Sequence, residues 1–420
     1  MRTEERKVDW KAWYLLALLV IVAILNYLDR NMIATMRLSI IDSIPMSDAQ
    51  FGFLTTVFSW VYGIFCPVAG FLADRFKKSY LIIGSLFVWS TVTLLTGYVT
   101  TYEQLFAARA MMGISEAFFI PAALSMIMDC HKNPSLAIGI LFAGEMFGSS
   151  FGYLGGEIAE LHSWNYAFHL FGWIGIVYAV ILIFTLREVT GNPVKKVAIT
   201  SVGEDKPETP KISIGTMVMA LFGKRSFYYM LLIYPLPTIV SWMVVVWLPT
   251  YYQETFDLTQ SVAGKYATLP LYLASIGGLV LGGFLTDKWQ KIFPYARIVV
   301  PIIGFAVATP CIFMVGYIHI LWVAVALFAV YGFARMFIDA NLMPILCMLI
   351  DTRYRATAYG IINMLTVFVG GMSAYVAGAL HDAQVSLGTV FQYASLGLVI
   401  CVVLLLLVKR EVKKNNALPS

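Results

Sequence analysis

Two oppositely charged residues lie side by side within the first hydrophobic segment of the chain. Asp29 and Arg30 follow an apolar run that begins near Trp13. At about 1.5 Å per residue, Asp29 lies about 24 Å along a helix from Trp13, inside a hydrocarbon layer that is about 30 Å thick. Charged side chains at that depth are costly and mark substrate or ion pathways. The pair therefore indicates that this chain handles charge inside a membrane.

A second acid and base occur in a later apolar segment, where Arg109 precedes Glu116 by seven residues. Two helical turns place both side chains on one face, at nearly the height of Asp29 and Arg30. The four groups sum to zero charge when all are ionised. They could form a buried network that only fixes helix packing, which apolar residues usually do as well. We favour a substrate and proton site, because an arginine binds carboxylates and a buried acid exchanges protons.

Composition places the chain in a membrane. Of its 420 residues, 60% are hydrophobic and only 13% are charged, about half the charge of a soluble protein. We expect an all-α polytopic membrane protein. The five cysteines are scattered singly, which predicts no metal site, disulfide or cofactor. No nucleophile–base pair or H-E-x-x-H motif indicates an enzyme, and the net charge of +5 needs no nucleic-acid partner.

Runs of about 20 apolar residues recur along the whole chain, and each is long enough to cross a bilayer. We predict twelve transmembrane spans, over residues 13–37, 49–73, 79–100, 103–130, 134–159, 164–186, 225–254, 262–286, 297–318, 320–350, 356–381 and 385–408.

The distribution of Lys and Arg predicts the orientation. Most of the 29 basic residues fall in the two tails, the central polar segment and every second loop. The intervening loops have none, so we expect cytoplasmic termini in a bacterial cytoplasmic (inner) membrane. The polar segment 187–224 reads as a linker. It separates two six-helix bundles, predicted over residues 1–186 and 225–420.

A short motif occurs once in each half, at corresponding loops. Both copies read G-x-L-x-D-[RK] and lie 213 residues apart, about half the chain. Chance recurrence of common membrane-edge residues is the alternative. Glycine allows two helices to approach closely, and the acid and base can cap and pair across the loop. We predict that these loops gate one face, through Gly70, Asp74, Arg75, Gly283, Asp287 and Lys288.

The doubled motif, the twelve spans and the long central segment resemble the major facilitator superfamily over residues 13–408. That resemblance implies two six-helix bundles related by a pseudo-two-fold axis along the membrane normal. It also implies a site at mid-depth and alternating access by rocking of the two halves.

Four motifs are similar to those of the anion:cation symporter family, which carries sugar acids and other organic anions. They are N-Y-L-D-R at 26–30, S-D-A-Q-F-G-F-L-T-T at 47–56, R-x-x-x-G-x-x-E-A at 109–117 and W-L-P-T-Y at 247–251. The resemblance implies that Asp29 and Glu116 carry the proton and that Arg30 anchors the substrate. It further implies that Arg109 pairs with the aspartate. The cavity-lining residues that it implies are Tyr27, Tyr62 and Asn363.

Several residues depart from that family's pattern. In the eleventh span, Phe368 and Val369 occupy the region where the family usually has a second asparagine. Glu145 adds a carboxylate to the fifth span, and we include it among the proton-coupling candidates. Arg335 and Asp339 in the tenth span are either a self-satisfied i,i+4 ion pair or part of the second half's binding face. We assign no role to the five histidines.

The sequence therefore predicts a monomeric symporter that carries a small organic anion with a proton, by alternating access within the lipid bilayer. The substrate would be a sugar acid, such as a hexuronate, an aldonate or a sialic acid-like compound. The alternatives are an organic phosphate exchanger, a spinster-like lysolipid transporter, or a receptor or channel without alternating access.

Overall fold

The structure, a computed structural model, describes residues 10–131, 134–186, 221–223, 225–350 and 355–416. In the first half, these residues form α1 (Trp10–Thr35), α2 (Arg37–Ser43), α3 (Asp48–Arg75), α4 (Lys78–Thr96), α5 (Tyr102–Glu116), α6 (Phe119–Cys130), α7 (Pro134–Ser150), α8 (Tyr153–Leu161) and α9 (Trp164–Thr185). In the second half, they form α10 (Arg225–Ile233), α11 (Pro235–Phe256), α12 (Gln260–Gln290), α13 (Ala296–Val315), α14 (Leu321–Leu349), α15 (Arg355–Asp382) and α16 (Leu387–Asn416).

These helices provide twelve segments long and apolar enough to cross a membrane. The predicted number of spans is confirmed. The observed helices match the predicted ranges to within a few residues, except that the last helix continues eight residues past its predicted end, to Asn416. Three spans each consist of two consecutive helices, α5–α6, α7–α8 and α10–α11. The predicted linker lies outside the described residues, apart from 221–223.

The helix breaks coincide with residues that matter below. The first follows Glu116, which is the last residue of α5. The third falls at Tyr234, directly before the proline that starts α11. Proline has no N–H to donate and is well suited to a first helical position. The span therefore restarts at Pro235, and Tyr234 lies in the break.

The two halves meet through small residues and helix edges. The closest approach joins α3 and α15, where a Cβ added at Gly52 would lie 2.8 Å from the carbonyl carbon of Ala374. A Cβ on Gly371 would lie 3.0 Å from the Cβ of Ser59. Helix α12 of the second half packs against α7 and α8 of the first. Only glycine allows backbones to approach so closely.

Two faces are distinguished by the helix ends that they contain. The terminal face contains Trp10, Arg75, Lys288 and Asn416, at or near the ends of α1, α3, α12 and α16. The distal face lies across the predicted bilayer and contains the other ends of these helices. It includes Asp48 at the start of α3 and Asp382 at the end of α15.

Candidate functional site

A buried ion pair joins two helices of the first half. The Arg30 Nε donates to Glu116 Oε2 at 2.5 Å, which links α1 to the end of α5. The Glu116 side chain is fully buried, and that of Arg30 is 15% exposed. A charge-assisted bond in such surroundings is strong, and removal of either partner leaves an uncompensated charge. The pair can therefore hold α1 against α5 while both groups are ionised.

Three aromatic rings surround the Arg30 guanidinium. Its Cζ lies 4.8 Å from the ring centroid of Tyr27, 5.0 Å from that of Phe58 and 4.6 Å from that of Tyr62. These distances are typical of cation–π contacts. The buried Arg30 Nη2 and Glu116 Oε1 form no hydrogen bond within the described part of the protein. The cage thus orients a guanidinium that retains a donor for a second acceptor.

Asp29 and Arg109 lie nearby but do not pair with each other. Asp29 Oδ2 accepts a hydrogen bond of 3.3 Å from the Thr93 hydroxyl. The Arg109 Cζ lies 4.8 Å from the Phe58 centroid, and its Nη1 lies 3.7 Å from the Met112 sulfur. The expected pairing of Arg109 with Asp29 is therefore not present. Neighbouring helix residues point about 100° apart, so Asp29 faces α4 while Arg30 faces Glu116.

Glu145 joins this cluster from α7. Its side chain is buried beside the Tyr27 phenol, within range of the Arg30 charge. Its Oε1 forms no hydrogen bond with the described residues. The cluster thus has two guanidinium groups and three carboxyl groups, with a formal charge of −1 when all are ionised. One bound proton makes this cluster neutral. Without Glu145, the other four groups are neutral when all are ionised.

A polar bridge leads from this cluster to the second half. The Asn31 amide donates to Ser149 Oγ at 3.1 Å, and its oxygen accepts from the Tyr272 hydroxyl at 2.9 Å. Tyr272 belongs to α12 of the second half. The bridge therefore links α1, at the residue after Arg30, to the second half.

A cavity of about 200 Å³ lies in the second half, between α11, α14 and α15. The Arg335 Nη2 lies 3.3 Å from Asp339 Oδ2, so the expected i,i+4 pair is formed. Both residues also line the cavity, so neither alternative excludes the other. Asn363 lines this cavity, separate from the Arg30 cage. The polar lining consists of Tyr234, Thr238, Arg335, Asp339, Tyr359, Asn363 and Thr366.

The distal face is closed by a polar network between the halves. Asp48 Oδ1 accepts a hydrogen bond from Arg37 Nη2, and Asp48 Oδ2 lies 2.5 Å from His381 Nδ1. His381 Nε2 lies 3.0 Å from Glu254 Oε2. The Asp382 carboxylate accepts from the backbone amides of Asp48 and Ala49 at 2.9 and 2.8 Å, at the start of α3. We call Arg37, Asp48, Glu254, His381 and Asp382 the distal latch.

The terminal face lacks such close packing at the repeated motif, among the described residues. A Cβ added at Gly70 or Gly283 would meet no described atom within 4 Å, so the close helix approach expected at these glycines does not occur in this part of the chain. In each copy of the motif, the basic residue nevertheless lies over the ring of the phenylalanine four residues earlier. The Arg75 Cζ lies 4.1 Å from the Phe71 centroid, and the Lys288 Nζ lies 6.0 Å from that of Phe284.

The structure describes the side chain of only one of the motif's two acidic residues. The Asp74 side chain lies outside the described residues. For Asp287, the structure shows no ion pair with a described residue. The role of Asp74 and Asp287 in closing this face remains a prediction.

Several participating residues were not predicted from the sequence, and three of them show why. Phe58 precedes Tyr62 by four residues, so helical spacing could have placed both rings on one face. His381 was assigned no role, because its partners Asp48 and Glu254 are 333 and 127 residues away. Tyr272 carried no local signal, since only the packing of α12 on the first half brings it to Asn31.

Comparison with known proteins defines the family. A sequence model of the Major Facilitator Superfamily matches residues 19–375. The chain belongs to the Major Facilitator Superfamily. It is 25% identical over 393 residues to the hexuronate transporter of Escherichia coli (strain K12), covering 90% of this chain and 89% of that protein. It is also 25% identical over 392 residues to protein spinster of Drosophila melanogaster, covering 88% and 62%.

The fold matches solved structures of the same superfamily. A bacterial homolog of the human lysosomal transporter spinster, in an inward-facing and occupied conformation, has a TM-score of 0.78 at 20% identity. The match covers 96% of this chain and 98% of that one. The predicted superfamily and fold class are confirmed, and this Major Facilitator protein is a membrane transporter and not an enzyme.

Proposed function

We propose that this protein imports a small organic anion, specifically a sugar acid, together with a proton. The observation that carries the proposal is the buried Arg30–Glu116 pair inside its aromatic cage. A guanidinium with a free donor suits a carboxylate ligand, which it binds with two parallel hydrogen bonds. The relatives named as hexuronate, L-galactonate and galactarate/D-glucarate transporters support this substrate class.

Coupling follows from competition for one guanidinium. While Glu116 is ionised, it pairs with Arg30. An incoming carboxylate would then meet the negative charge of Glu116 in addition to the charges of Asp29 and Glu145. A proton on Glu116 removes its charge and releases Arg30 for the substrate. Asp29 and Glu145 adjoin the same cluster, and we propose that they share this proton. Anion and proton then bind together, as symport requires.

Uptake by purified protein in liposomes tests the proposal. We expect labelled D-galacturonate to accumulate when an inward proton gradient is applied. Arg30→Ala should abolish uptake, while Lys291→Ala, which removes a charge exposed on the terminal face, should not. Uptake that ignores the proton gradient would refute symport. Full uptake by the Arg30 variant would refute the anion anchor.

A charge-neutral variant separates coupling from binding. Glu116→Gln keeps the shape of the side chain but cannot release a proton. We expect it to exchange labelled for unlabelled D-galacturonate across the membrane while losing proton-driven accumulation. If accumulation survives, Glu116 is structural and coupling belongs to Asp29 or Glu145.

A lysolipid substrate is the second candidate. An apolar groove of about 340 Å³ on the outer surface of the helices lies between α4 and α5, lined mainly by Leu81, Val88, Met111, Ile114 and Phe118. It reaches Ser115, next to Glu116, so an acyl chain there could accompany a charged headgroup. Zebrafish sphingosine-1-phosphate transporter SPNS2 is 24% identical over 400 residues. Uptake of a labelled lysophospholipid in place of D-galacturonate would favour this candidate.

We further propose that a monomer lies in a bacterial cytoplasmic membrane, with the terminal face cytoplasmic. The concentration of Lys and Arg on that face supports the orientation. The Arg30 cluster and the second-half cavity both lie within one chain, so a single copy holds the whole path. A fluorescent protein fused after Ser420 should fold and fluoresce in cells only if the C-terminus is cytoplasmic. A second chain in light-scattering mass measurements would refute the monomer.

A further inference from the structure

The cavity in the second half has a defined hydrogen-bonding polarity. The hydroxyl protons of Tyr234, Thr238 and Thr366 are already donated to backbone carbonyls. Thr238 donates to the Tyr234 carbonyl at 3.1 Å and Thr366 to that of Ile362 at 2.8 Å, while Tyr234 donates to Leu342. Each oxygen keeps lone pairs that can accept from a ligand. The three hydroxyl groups therefore face the cavity as acceptors.

A carboxylate adds to this row of acceptors. Asp339 lines the same cavity, and its side chain is 35% exposed. Arg335 neutralises its charge through the 3.3 Å pair and keeps a buried Nε without a bond to the described residues. Asn363 can both donate and accept. The site thus offers four acceptor groups around one occupied guanidinium.

We propose that this cavity binds the hydroxyl groups of the substrate and selects a polyhydroxylated acid over a phosphorylated one. Hydroxyl groups can donate to Asp339 and to the three hydroxyl oxygens, and their own oxygens can accept from Arg335 and Asn363. A phosphate group brings acceptor oxygens and negative charge to a lining that contains four acceptor groups, one of them the Asp339 carboxylate. Acceptors left without a donor are costly and like charges repel, so this lining disfavours phosphate relative to hydroxyl groups.

The volume agrees with a small polar ligand. About 200 Å³ falls below the range of about 300–1,000 Å³ that is usual for drug-sized ligands. It suits the hydroxylated part of a short-chain acid and leaves the carboxylate for Arg30. The Asn31–Tyr272 bridge connects α1, at the residue after Arg30, with α12 of the second half. This inference rests on the proposed function, because it assumes that Arg30 holds the carboxylate.

Binding of D-galactonate and its monodeoxy analogues to the full chain in lipid nanodiscs tests the inference. We expect Thr238→Val and Thr366→Val each to weaken D-galactonate binding by about three- to tenfold. For each variant, one deoxy analogue lacks the hydroxyl group that would contact the substituted threonine. The variant should bind that analogue no more weakly than the wild type does. Thr309→Val is the matched control. Its hydroxyl makes the same i−4 bond, at 2.7 Å to Phe305, on α13 and away from the cavity lining.

A second variant tests the exclusion of phosphate. Asp339→Asn removes the carboxylate charge and releases Arg335. We expect glucose 6-phosphate to compete with D-galactonate several-fold better in this variant than in the wild type. The unfolding temperature of each variant shows whether it is folded. If one threonine variant is destabilised, the binding result of the other threonine variant decides.

The outcomes separate the two proposals. Failure of the wild type to bind D-galactonate, or unchanged binding in Arg30→Ala, refutes the proposed function and this inference with it. If Arg30→Ala abolishes binding while both threonine variants weaken every analogue equally, or none, only this inference fails. Wild-type preference for glucose 6-phosphate over D-galactonate would also overturn it.

Discussion

The two ends of α3 differ in what they contact. At the distal end, Asp48 and Gly52 lie directly against α15, and the latch residues pair across the interface. At the terminal end, a Cβ added at Gly70 would meet no described atom within 4 Å, and the exposed Phe71 ring lies against Arg75 of its own helix. The same helix is thus tightly held at one end and free at the other.

This difference shows how one conformation is selected. Between described residues, hydrogen bonds that join the halves occur from the latch to mid-depth, as far as Trp60 Nε1, which donates to Phe368 at 3.0 Å, and Asn31–Tyr272. For access to alternate, the latch must break and the Gly70 and Gly283 loops must gain comparable contacts. The free energies of the two closures must therefore be similar, so that a change of a few kcal/mol shifts the population.

A bulky residue at the distal interface should have the largest effect. Gly52→Leu places a side chain where the backbone of Ala374 already lies, and overpacking costs about 1–3 kcal/mol. We expect the distal face to open and uptake to fall more than tenfold. Spin labels at the exposed positions Asp42 and Ala383, in different halves, should move apart in double electron–electron resonance.

The matched control lies on the same helix. Gly70→Leu meets open space, so the distal distance should not change, and the terminal distance between labels at Phe76 and Ile292 should stay long. This variant should instead disfavour closure of the terminal face. Equal effects of the two substitutions on the distal distance would contradict the contrast between the two ends.

Removing the centre of the latch should have the next largest effect. Asp48→Ala leaves Arg37 and His381 without their shared carboxylate, whose side chain is 13% exposed. We expect a shift of about tenfold toward distal opening, because partly buried ion pairs are costly to break. The distal spin-label distance measures it. In an Asp48→Ala background, His381→Gln should add little, since the two act together.

The histidine alone should have a smaller and pH-dependent effect. A protonated imidazole contacts two carboxylates, Asp48 and Glu254, while Arg37 and Asp382 also adjoin Asp48. Raising the pH on the distal side removes the imidazolium charge and weakens closure, so the distal distance should lengthen. In His381→Gln, the fraction of molecules with the longer distal distance should be a few-fold smaller than in Asp48→Ala. The substitution should also abolish the pH dependence of that distance. A wild-type distance that ignores pH between about 5 and 9 would refute this role.

The basic residues of the repeated motif should have the smallest effect on this conformation. Arg75→Ala and Lys288→Ala each remove a contact with an exposed ring of the same helix. We expect changes within about 0.5 kcal/mol in stability and none in either spin-label distance. Transport should nevertheless slow, if these residues form the gate when the terminal face closes. A large change in the distal distance would show that the two faces are coupled through these residues.

Much of the fold could be predicted because membrane insertion is read from local composition. Each span is an apolar run of nearly the same length, so the twelve helices follow from windows of about 20 residues. The Arg109–Glu116 spacing likewise placed both side chains on one buried face. The expectation that these groups meet Arg30 rested on similar heights in two antiparallel helices.

The partners of each charged group could not be predicted in the same way. Arg30 pairs with Glu116, whereas Asp29 contacts Thr93, because rotation of α1 about its axis decides which neighbour each side chain meets. That rotation depends on the packing of α1, which in the first half is mainly against α7 and α8. The latch shows the same limit, since its residues come from four separate helix ends.

By itself, the sequence determined that this chain crosses a membrane twelve times and carries charge within it, because hydropathy and helical spacing are local properties. The tertiary structure decided which charges pair, that Asn363 shares a cavity with Arg335 and Asp339, and which face is closed. Those features depend on how two halves dock. A transporter must change how its two halves dock during each cycle. Local sequence patterns therefore specify its helices but not the arrangement of the halves in a given conformation.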